Sequence, residues 1–320
     1  MKRREFFQLV SVSGPLFLSG CSSLRKHLCS SCFSPFEKPS APSKPTSPPA
    51  VASQPLTSDG DDFAEIHSAD HHQAHVDHSQ LQGQSSKSTF FDQDFSDDIF
   101  FTGAKFQMVQ VLARKLSQVQ RYVGAGNFNL VGIDEFIRYT NYLPGIERAT
   151  LREKKFLEEL FYFDANKYGF TGDKVFKRLT DNLKKNQTIK IPYSGHYLRK
   201  GESHRLYEKV KGDVGDTLIL TSGVRAIAKQ FHLFLSKSIE TNGNMSKASR
   251  SLAPPGYSFH GRGDFDVGKI GNGLRNFTND FANTDEYKRL TDLGYVNIRY
   301  TQSNLLGVRF EPWHIKVHNS

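Results

Sequence analysis

One long stretch of this 320-residue chain cannot form a packed core, so the folded part must lie after it. From Ser22 to about Thr89 the sequence is rich in Ser, Pro, Gln and His and has almost no apolar periodicity. Such a composition buries too little apolar surface to offset the entropy of ordering the chain. We therefore expect residues 21–89 to form a disordered tether, extended and semi-stiff where prolines cluster between Lys38 and Pro49.

The residues before this tether are typical of an export signal. Three basic residues, Lys2 to Arg4, precede an apolar run from Phe6 to Leu18, which is too short for a permanent membrane span. Leu18-Ser-Gly-Cys21 resembles a bacterial lipobox, in which the cysteine is lipidated; the alternative is an ordinary thiol after small residues. We predict a signal peptide over residues 1–20 and a lipid on Cys21.

Two features leave alternatives open. Arg3-Arg4-Glu-Phe-Phe resembles a twin-arginine signal, although an ordinary basic segment would look the same. Residues 67–78 hold five histidines and two aspartates, which either bind a metal loosely or are simply solvated. The net charge of +9 favours polyanions in general, but no nucleic-acid motif is present, so we expect no nucleic-acid partner.

The sequence after the tether first predicts a small all-α domain over residues 90–184. Apolar residues recur at helical spacing from Ala104 to Val123 and again from Ile133 to Tyr142. Thr150-Leu-Arg-Glu153 is a capping box that opens a third helix, and a short fourth helix is predicted from Asp173 to about Leu183. No cluster of catalytic type occurs here, which favours a packing or substrate-shaping role.

After residue 185 the sequence predicts short strands and turns. Thr217–Ser222 has the pattern of a buried strand, and an amphipathic helix follows it, so Arg225 lies at the turn between them. Its guanidinium can bind a carboxylate or stabilise an oxyanion; the alternative is a structural salt bridge.

The last sixty residues contain a set of side chains that can bind and use zinc. His260 and His314, with an aspartate between them, offer the imidazole and carboxylate ligands that zinc takes, and Glu311 can act as a base without being a ligand. Phe310–Val317 alternates like a strand, so a twist or bulge at Pro312 would be needed to aim Glu311 and His314 at one metal.

Three separated motifs in this region resemble those of the zinc D-alanyl-D-alanine metallopeptidases, a family that includes D,D-carboxypeptidases, L,D-carboxypeptidases and some endolysins. The resemblance covers roughly residues 189–318, and the motifs occur in the family's order. They are Ser222-Gly-Val-Arg225, Ser258-Phe-His260-Gly-Arg-Gly263-Asp264-Phe-Asp266 and Glu311-Pro-Trp313-His314.

The resemblance implies a role for each matching residue. His260, Asp266 and His314 would be the zinc ligands, Glu311 the general base and acid, and Arg225 the group that stabilises the carbonyl oxygen. Ser258 and Gln230 are the candidate substrate-binding residues.

This chain departs from the family pattern at two positions. The family's aspartate lies seven residues after its histidine, whereas Asp266 lies six and Asp264 four residues after His260, so either aspartate can be the ligand. The family's tyrosine before the arginine is Val224 here, and Tyr257 or Tyr300 could replace its hydroxyl.

The sequence thus predicts an α+β protein whose C-terminal zinc-peptidase domain, residues 185–320, combines a small antiparallel sheet with flanking helices. We expect a monomeric Zn²⁺ D,D-carboxypeptidase that acts on peptidoglycan stem peptides, lipid-anchored on the periplasmic side of a bacterial envelope. The alternatives are an L,D-carboxypeptidase, a cross-link endopeptidase, and a zinc-binding lipoprotein without catalysis.

Overall fold

The computed structural model describes residues 87–317, and these belong to one compact unit. The predicted signal peptide, Cys21, nearly all of the tether and the histidine-rich residues 67–78 lie outside the described residues. No helix within residues 87–317 is both long and apolar enough to cross a membrane.

Eight α-helices lie entirely within the described part of the chain. They are α1 (Gly103–Val123), α2 (Ala125–Phe128), α3 (Ile133–Tyr142), α4 (Leu151–Tyr162), α5 (Glu202–Val214), α6 (Ile227–Glu240), α7 (Met245–Ser249) and α8 (Asp285–Asp292). The predicted capping box of α4 is present, because the Thr150 hydroxyl accepts from the Glu153 N–H at 3.1 Å while the Glu153 carboxylate accepts from the Thr150 N–H at 2.7 Å.

The helix predicted from Asp173 to Leu183 does not form, and that prediction is wrong. The N–H groups of Val175 and Phe176 both donate to the carbonyl of Gly256, which is far away in sequence. Those of Lys177 and Arg178 donate to the Asp181 carboxylate, which captures the donors of a turn locally. Tertiary and side-chain acceptors therefore replace the helical ladder.

Two antiparallel sheets complete the fold. A hairpin pairs β1 (Thr188–Lys190) with β2 (Tyr197–Arg199). The second sheet has the order β3-β4-β5, formed by Leu218–Ser222, Phe265–Lys269 and His314–Ile315. In its register Asp266 lies between Ser222 on one side and His314 on the other, and β3 has an irregularity between Leu220 and Ser222.

The helical part and the C-terminal part share a hydrophobic core. Helix α1 packs along α6, and one cluster of buried residues contains Leu112 and Leu116 of α1 together with Phe231 and Phe234 of α6. A second cluster lies between β3, β4 and α5. The predicted domain boundary at residue 185 stays a prediction. Residues on both sides of it contribute to the shared core.

Candidate metal centre and active site

Three buried side chains converge at the central strand of the three-stranded sheet. One ligand atom from each of His260, Asp266 and His314 lies within 4.8 Å of the others. Asp266 Oδ1 is 3.3 Å from His260 Nε2 and 3.1 Å from His314 Nδ1. Ligands about 2.0 Å from a tetrahedral zinc are about 3.3 Å apart, so the spacing suits this metal.

His260 is oriented by the backbone of the arginine turn. It lies in a short 3₁₀ helix, Phe259–Gly261, and its Nδ1 is 2.7 Å from the carbonyl oxygen of Gly223. A proton on Nδ1 donates to that carbonyl and leaves the lone pair of Nε2 directed at Asp266. Burial lowers the pKa of His260 to about 4, so its imidazole is neutral, as a metal ligand must be.

His314 is held from its other side by Asp264, the second aspartate of the motif. Its Nε2 is 3.0 Å from Asp264 Oδ2, and Asp264 also accepts from Arg299 Nε at 2.7 Å and from the Val317 N–H at 3.0 Å. Burial acts to raise the pKa of Asp264, but the contacts with His314 and Arg299 outweigh it and lower this pKa. Asp264 therefore supports His314, and Asp266 is the aspartate that faces both histidines.

The two oxygens of the Asp266 carboxylate have different surroundings. Oδ2 accepts from the Arg225 guanidinium at 2.5 Å, whereas Oδ1 is buried and has no hydrogen-bond partner within residues 87–317. The nearest nitrogens, His260 Nε2 and His314 Nδ1, lie 3.3 and 3.1 Å from Oδ1. A buried acceptor without a donor is costly. A cation at this position would satisfy it.

Glu311 reaches the same point through a turn. The expected strand over Phe310–Val317 is wrong in extent, because β5 begins only at His314 and the backbone turns at Pro312 and Trp313, with the His314 N–H donating to the Glu311 carbonyl. This turn brings Glu311 Oε2 to 3.9 Å from His314 Nδ1. Burial raises the pKa of Glu311 to about 7, which suits a proton-transferring group.

The turn that carries Arg225 is fastened to parts of the chain well outside the C-terminal motifs. The Val224 N–H donates to the Tyr197 carbonyl, and the Ala226 N–H donates to the Asn129 carbonyl, both at 2.8 Å. The Arg225 carbonyl accepts from Gln230 Nε2 at 2.8 Å, and its Nε donates to the Ser222 hydroxyl at 3.0 Å. The helical segment thus positions Arg225.

A small cavity of about 30 Å³ opens at the metal centre, and the predicted substrate-binding residues line it. Ser258 and Gln230 both belong to its wall, together with Tyr300. The Gln230 amide is occupied at both ends, because its oxygen also accepts from the Gly256 N–H at 2.8 Å. Gln230 therefore links the Arg225 carbonyl to the Gly256 N–H. The predicted contacts of Gln230 and Ser258 with substrate stay predictions.

Of the two tyrosines that could replace the hydroxyl absent from Val224, Tyr300 lies nearer the metal ligands, and its role stays a prediction. The ring of Tyr300 lies 4.9 Å from that of His314 and lines the small cavity, whereas Tyr257 packs against Phe170. Sequence reasoning missed Arg299 as the partner of Asp264. A signal for Arg299 was absent, since it lies in an irregular segment outside the motifs.

Comparisons with known proteins agree with the C-terminal motifs. Residues 201–320 match the family model described as VanY, D-alanyl-D-alanine carboxypeptidase. No curated protein matched the sequence.

Similar solved structures cover about two fifths of this chain. They include the LdcB LD-carboxypeptidase (22% identity, TM-score 0.34), with 40% of this chain and 63% of that chain covered. A mutant of the vancomycin resistance D,D-pentapeptidase VanY in complex with Zn(II) has 23% identity and a TM-score of 0.33, with 41% and 77% covered. VanYB in complex with D-Alanine-D-Alanine has 22% identity and a TM-score of 0.34, with 41% and 76% covered.

This chain therefore spans less than two thirds of the LdcB chain. The match to the family model begins at residue 201, so the helices α1 to α4 and the β1–β2 hairpin lie before it. The C-terminal part of the chain, over residues 201–320, is thus a VanY-like peptidase domain by its match to the family model.

Proposed function

We propose that this chain is a zinc-dependent D,D-carboxypeptidase that removes the terminal D-alanine from peptidoglycan stem peptides. The observation that carries the proposal is a buried carboxylate, that of Glu311, set beside three converging ligand atoms but outside their group. A purely structural zinc site closes its coordination with protein ligands and needs no such base. The alternative of a non-catalytic zinc lipoprotein lacks this support.

His260, Asp266 and His314 would hold the metal. Their donor atoms, the spacing around Asp266 Oδ1 and the lack of a hydrogen-bond donor for that oxygen fit zinc. Bound zinc supplies an open coordination position and lowers the pKa of water to roughly 7.

Protein side chains manage the proton and the developing charge. Glu311 accepts a proton from the attacking water and delivers it to the nitrogen of the leaving D-alanine. Arg225 lines both the small cavity and the wider groove beside it, so its free N–H groups can donate to the carbonyl oxygen as it gains negative charge. Its bond to Asp266 keeps the guanidinium next to the metal ligands.

Ser258, Gln230 and Tyr300 line the cavity at the metal centre, and we propose that they contact the terminal residue of the substrate. Choice between D,D and L,D cleavage depends on the residue that enters it. We further propose that Cys21 carries the lipid that anchors the enzyme to the membrane, on the periplasmic side of the bacterial envelope.

The test is digestion of muropeptides followed by mass spectrometry, with and without a chelator. Loss of one alanine from a pentapeptide, abolished by the chelator, is the expected result. Loss of alanine from a tetrapeptide instead would redirect the assignment to L,D chemistry.

Two variants test the mechanism. Glu311→Ala should retain zinc and lose activity by about 10²–10⁴-fold, the usual contribution of a general base, whereas His314→Ala should lose both. Glu159→Ala, at an exposed position of α4, is the control. Wild-type activity in Glu311→Ala would show that the assigned base is wrong. Deletion of residues 67–78 should leave the catalytic zinc in place.

A further inference from the structure

An open groove of about 430 Å³ lies beside the small cavity and shares Arg225 and Glu311 with it. Arg225, Asp266 and Glu311 form its middle. Contacts among the other lining residues divide them into two ends. At one end Asn129 Nδ2 lies 3.4 Å from His196 Nδ1, near Lys229; at the other the rings of Phe277 and Trp313 meet edge to face beside Arg309.

The first end is built partly from residues outside the family match. Asn129 follows α2 and His196 precedes β2, so both come before residue 201, whereas Lys229 lies in the first turn of α6. The carbonyl oxygen of Gly195 lies only 2.5 Å from the position of a Cβ on Gly126, so backbone packs directly on backbone at this wall. This end of the groove is therefore formed by the helical segment and the hairpin together.

Lys229 brings a positive charge to this wall without a counter-charge. It is half-buried, its Nζ donates to the neutral Gln120 Oε1 at 2.9 Å, and no salt bridge to it forms within residues 87–317. Burial and the nearby Arg225 lower its pKa to about 8, which still leaves it largely protonated at neutral pH.

Other lysines that are withdrawn from water have compensation that Lys229 lacks. Lys115 is paired with Glu153 at 2.7 Å, and Lys174 lies over the ring of Phe161 at 4.1 Å. A partly desolvated charge with only one neutral acceptor is unfavourable unless a ligand supplies the opposite charge. Lys229 is thus suited to bind an anionic group in the groove.

The chemistry of the substrate decides which anionic group this is. On the proposed function, on which this inference rests, the terminal carboxylate belongs to the leaving residue, and the acyl part of the peptide lies in the groove, which has room for it. The remaining anionic groups of a peptide are side-chain or branch carboxylates. We propose that Lys229, held by Gln120, is a specificity-determining residue that binds a free carboxylate on the acyl side of the scissile bond.

The test uses two synthetic peptides that both end in D-Ala-D-Ala. They differ only on the acyl side, where one carries a free carboxylate and the other the corresponding carboxamide. The wild type should prefer the carboxylate peptide by about 10-fold or more in kcat/KM, as expected for a charge-assisted hydrogen bond. Lys229→Gln should bring the two values within about twofold of each other.

Two further variants keep the result independent of a folding defect. Gln120→Glu gives Lys229 an internal carboxylate and should abolish the preference by competition. Lys237→Gln changes another lysine of α6, one that pairs with Glu240 at the surface, and should keep the preference. The proposal is wrong if both Lys229→Gln and Gln120→Glu retain the preference for the carboxylate peptide. It is also wrong if Arg309→Gln loses this preference while Lys229→Gln retains it.

Binding of the same peptides in the presence of a chelator separates this inference from the proposed function. If neither peptide is cleaved but the wild type still binds the carboxylate form about 10-fold more tightly, in a Lys229-dependent manner, the proposed function fails and this inference stands. If both peptides are cleaved and bound equally well by the wild type, the function stands and this inference is wrong.

Discussion

Exchange of each motif aspartate for asparagine tests the division of labour at the metal centre. Asp264 and Asp266 both contact His314, but through different ring nitrogens, Nε2 at 3.0 Å and Nδ1 at 3.1 Å. Asparagine keeps the size of the side chain and removes its charge. We expect Asp264→Asn to weaken zinc binding and Asp266→Asn to remove a ligand.

The magnitudes follow from what each carboxylate contacts. Loss of an outer partner of a histidine ligand costs about 10–100-fold in metal affinity, or about 1.4–2.7 kcal/mol. Asp264→Asn also takes a carboxylate away from Arg299, whose side chain is only 11% exposed, so the free energy of unfolding of the metal-free protein should fall as well. Asp266→Asn should lower zinc affinity by more than about 100-fold, beyond the effect of an outer partner.

Zinc affinity is measured by competition with a chromophoric chelator, and stability by urea denaturation of the metal-free protein. Asp280→Asn, at an exposed position before α8, is the matched control and should change neither quantity. If Asp264→Asn abolished stoichiometric zinc while Asp266→Asn retained it at near wild-type affinity, the assignment of the two aspartates would be reversed.

Three further predictions test the surroundings of the site. Gly223→Ala should lower zinc affinity at least about 10-fold. The new Cβ would lie 2.0 Å from the Tyr197 carbonyl oxygen and would displace the Gly223 carbonyl, the acceptor of His260. Gly212→Ala, with open space around it, is the control and should be tolerated. Acidification should destabilise the fold through Asp98. Burial acts to raise the pKa of Asp98, but hydrogen bonds from Arg250 and other donors outweigh burial and lower this pKa below 3.8. The stabilising contribution of Asp98 is therefore complete above pH 3.8 and is lost as the pH falls through the lowered pKa. Urea titrations at a series of pH values, with Asp98→Asn flattening the slope, measure this. Residues 185–320 expressed alone should show no cooperative unfolding transition by circular dichroism, because Phe231 and its neighbours would lose the packing of α1; a sharp transition would contradict this.

Much of the helical part could be predicted because its signals are local. The apolar spacing of α1 and α3 and the capping box of α4 depend on residues within a few positions of one another. The segment from Asp173 to Leu183 has the same kind of local pattern, yet its backbone donors go to Gly256 and Asp181. A distant acceptor leaves no trace in local periodicity, so this prediction failed.

The choice between Asp264 and Asp266 shows a similar limit at the site. Spacing from His260 allowed either residue, and in the structure both carboxylates contact the same ligand, His314. Only the register of β4, which sets Asp266 opposite both Ser222 and His314, decides which carboxylate faces His260 as well. Register depends on pairing between strands far apart in sequence, and Asp264 precedes β4, where no alternation applies.

The helical segment does more than enlarge the core, because it determines where two cations of the site point. The Ala226 and Ala228 N–H groups donate to the carbonyls of Asn129 and Val131, at 2.8 and 3.2 Å, and α1 packs along α6. Arg225 lies at the start of this attachment and Lys229 at its end, whereas the metal ligands lie on β4, β5 and the 3₁₀ helix before them. Changes in the α2–α3 region should therefore alter the handling of the peptide and leave zinc binding intact.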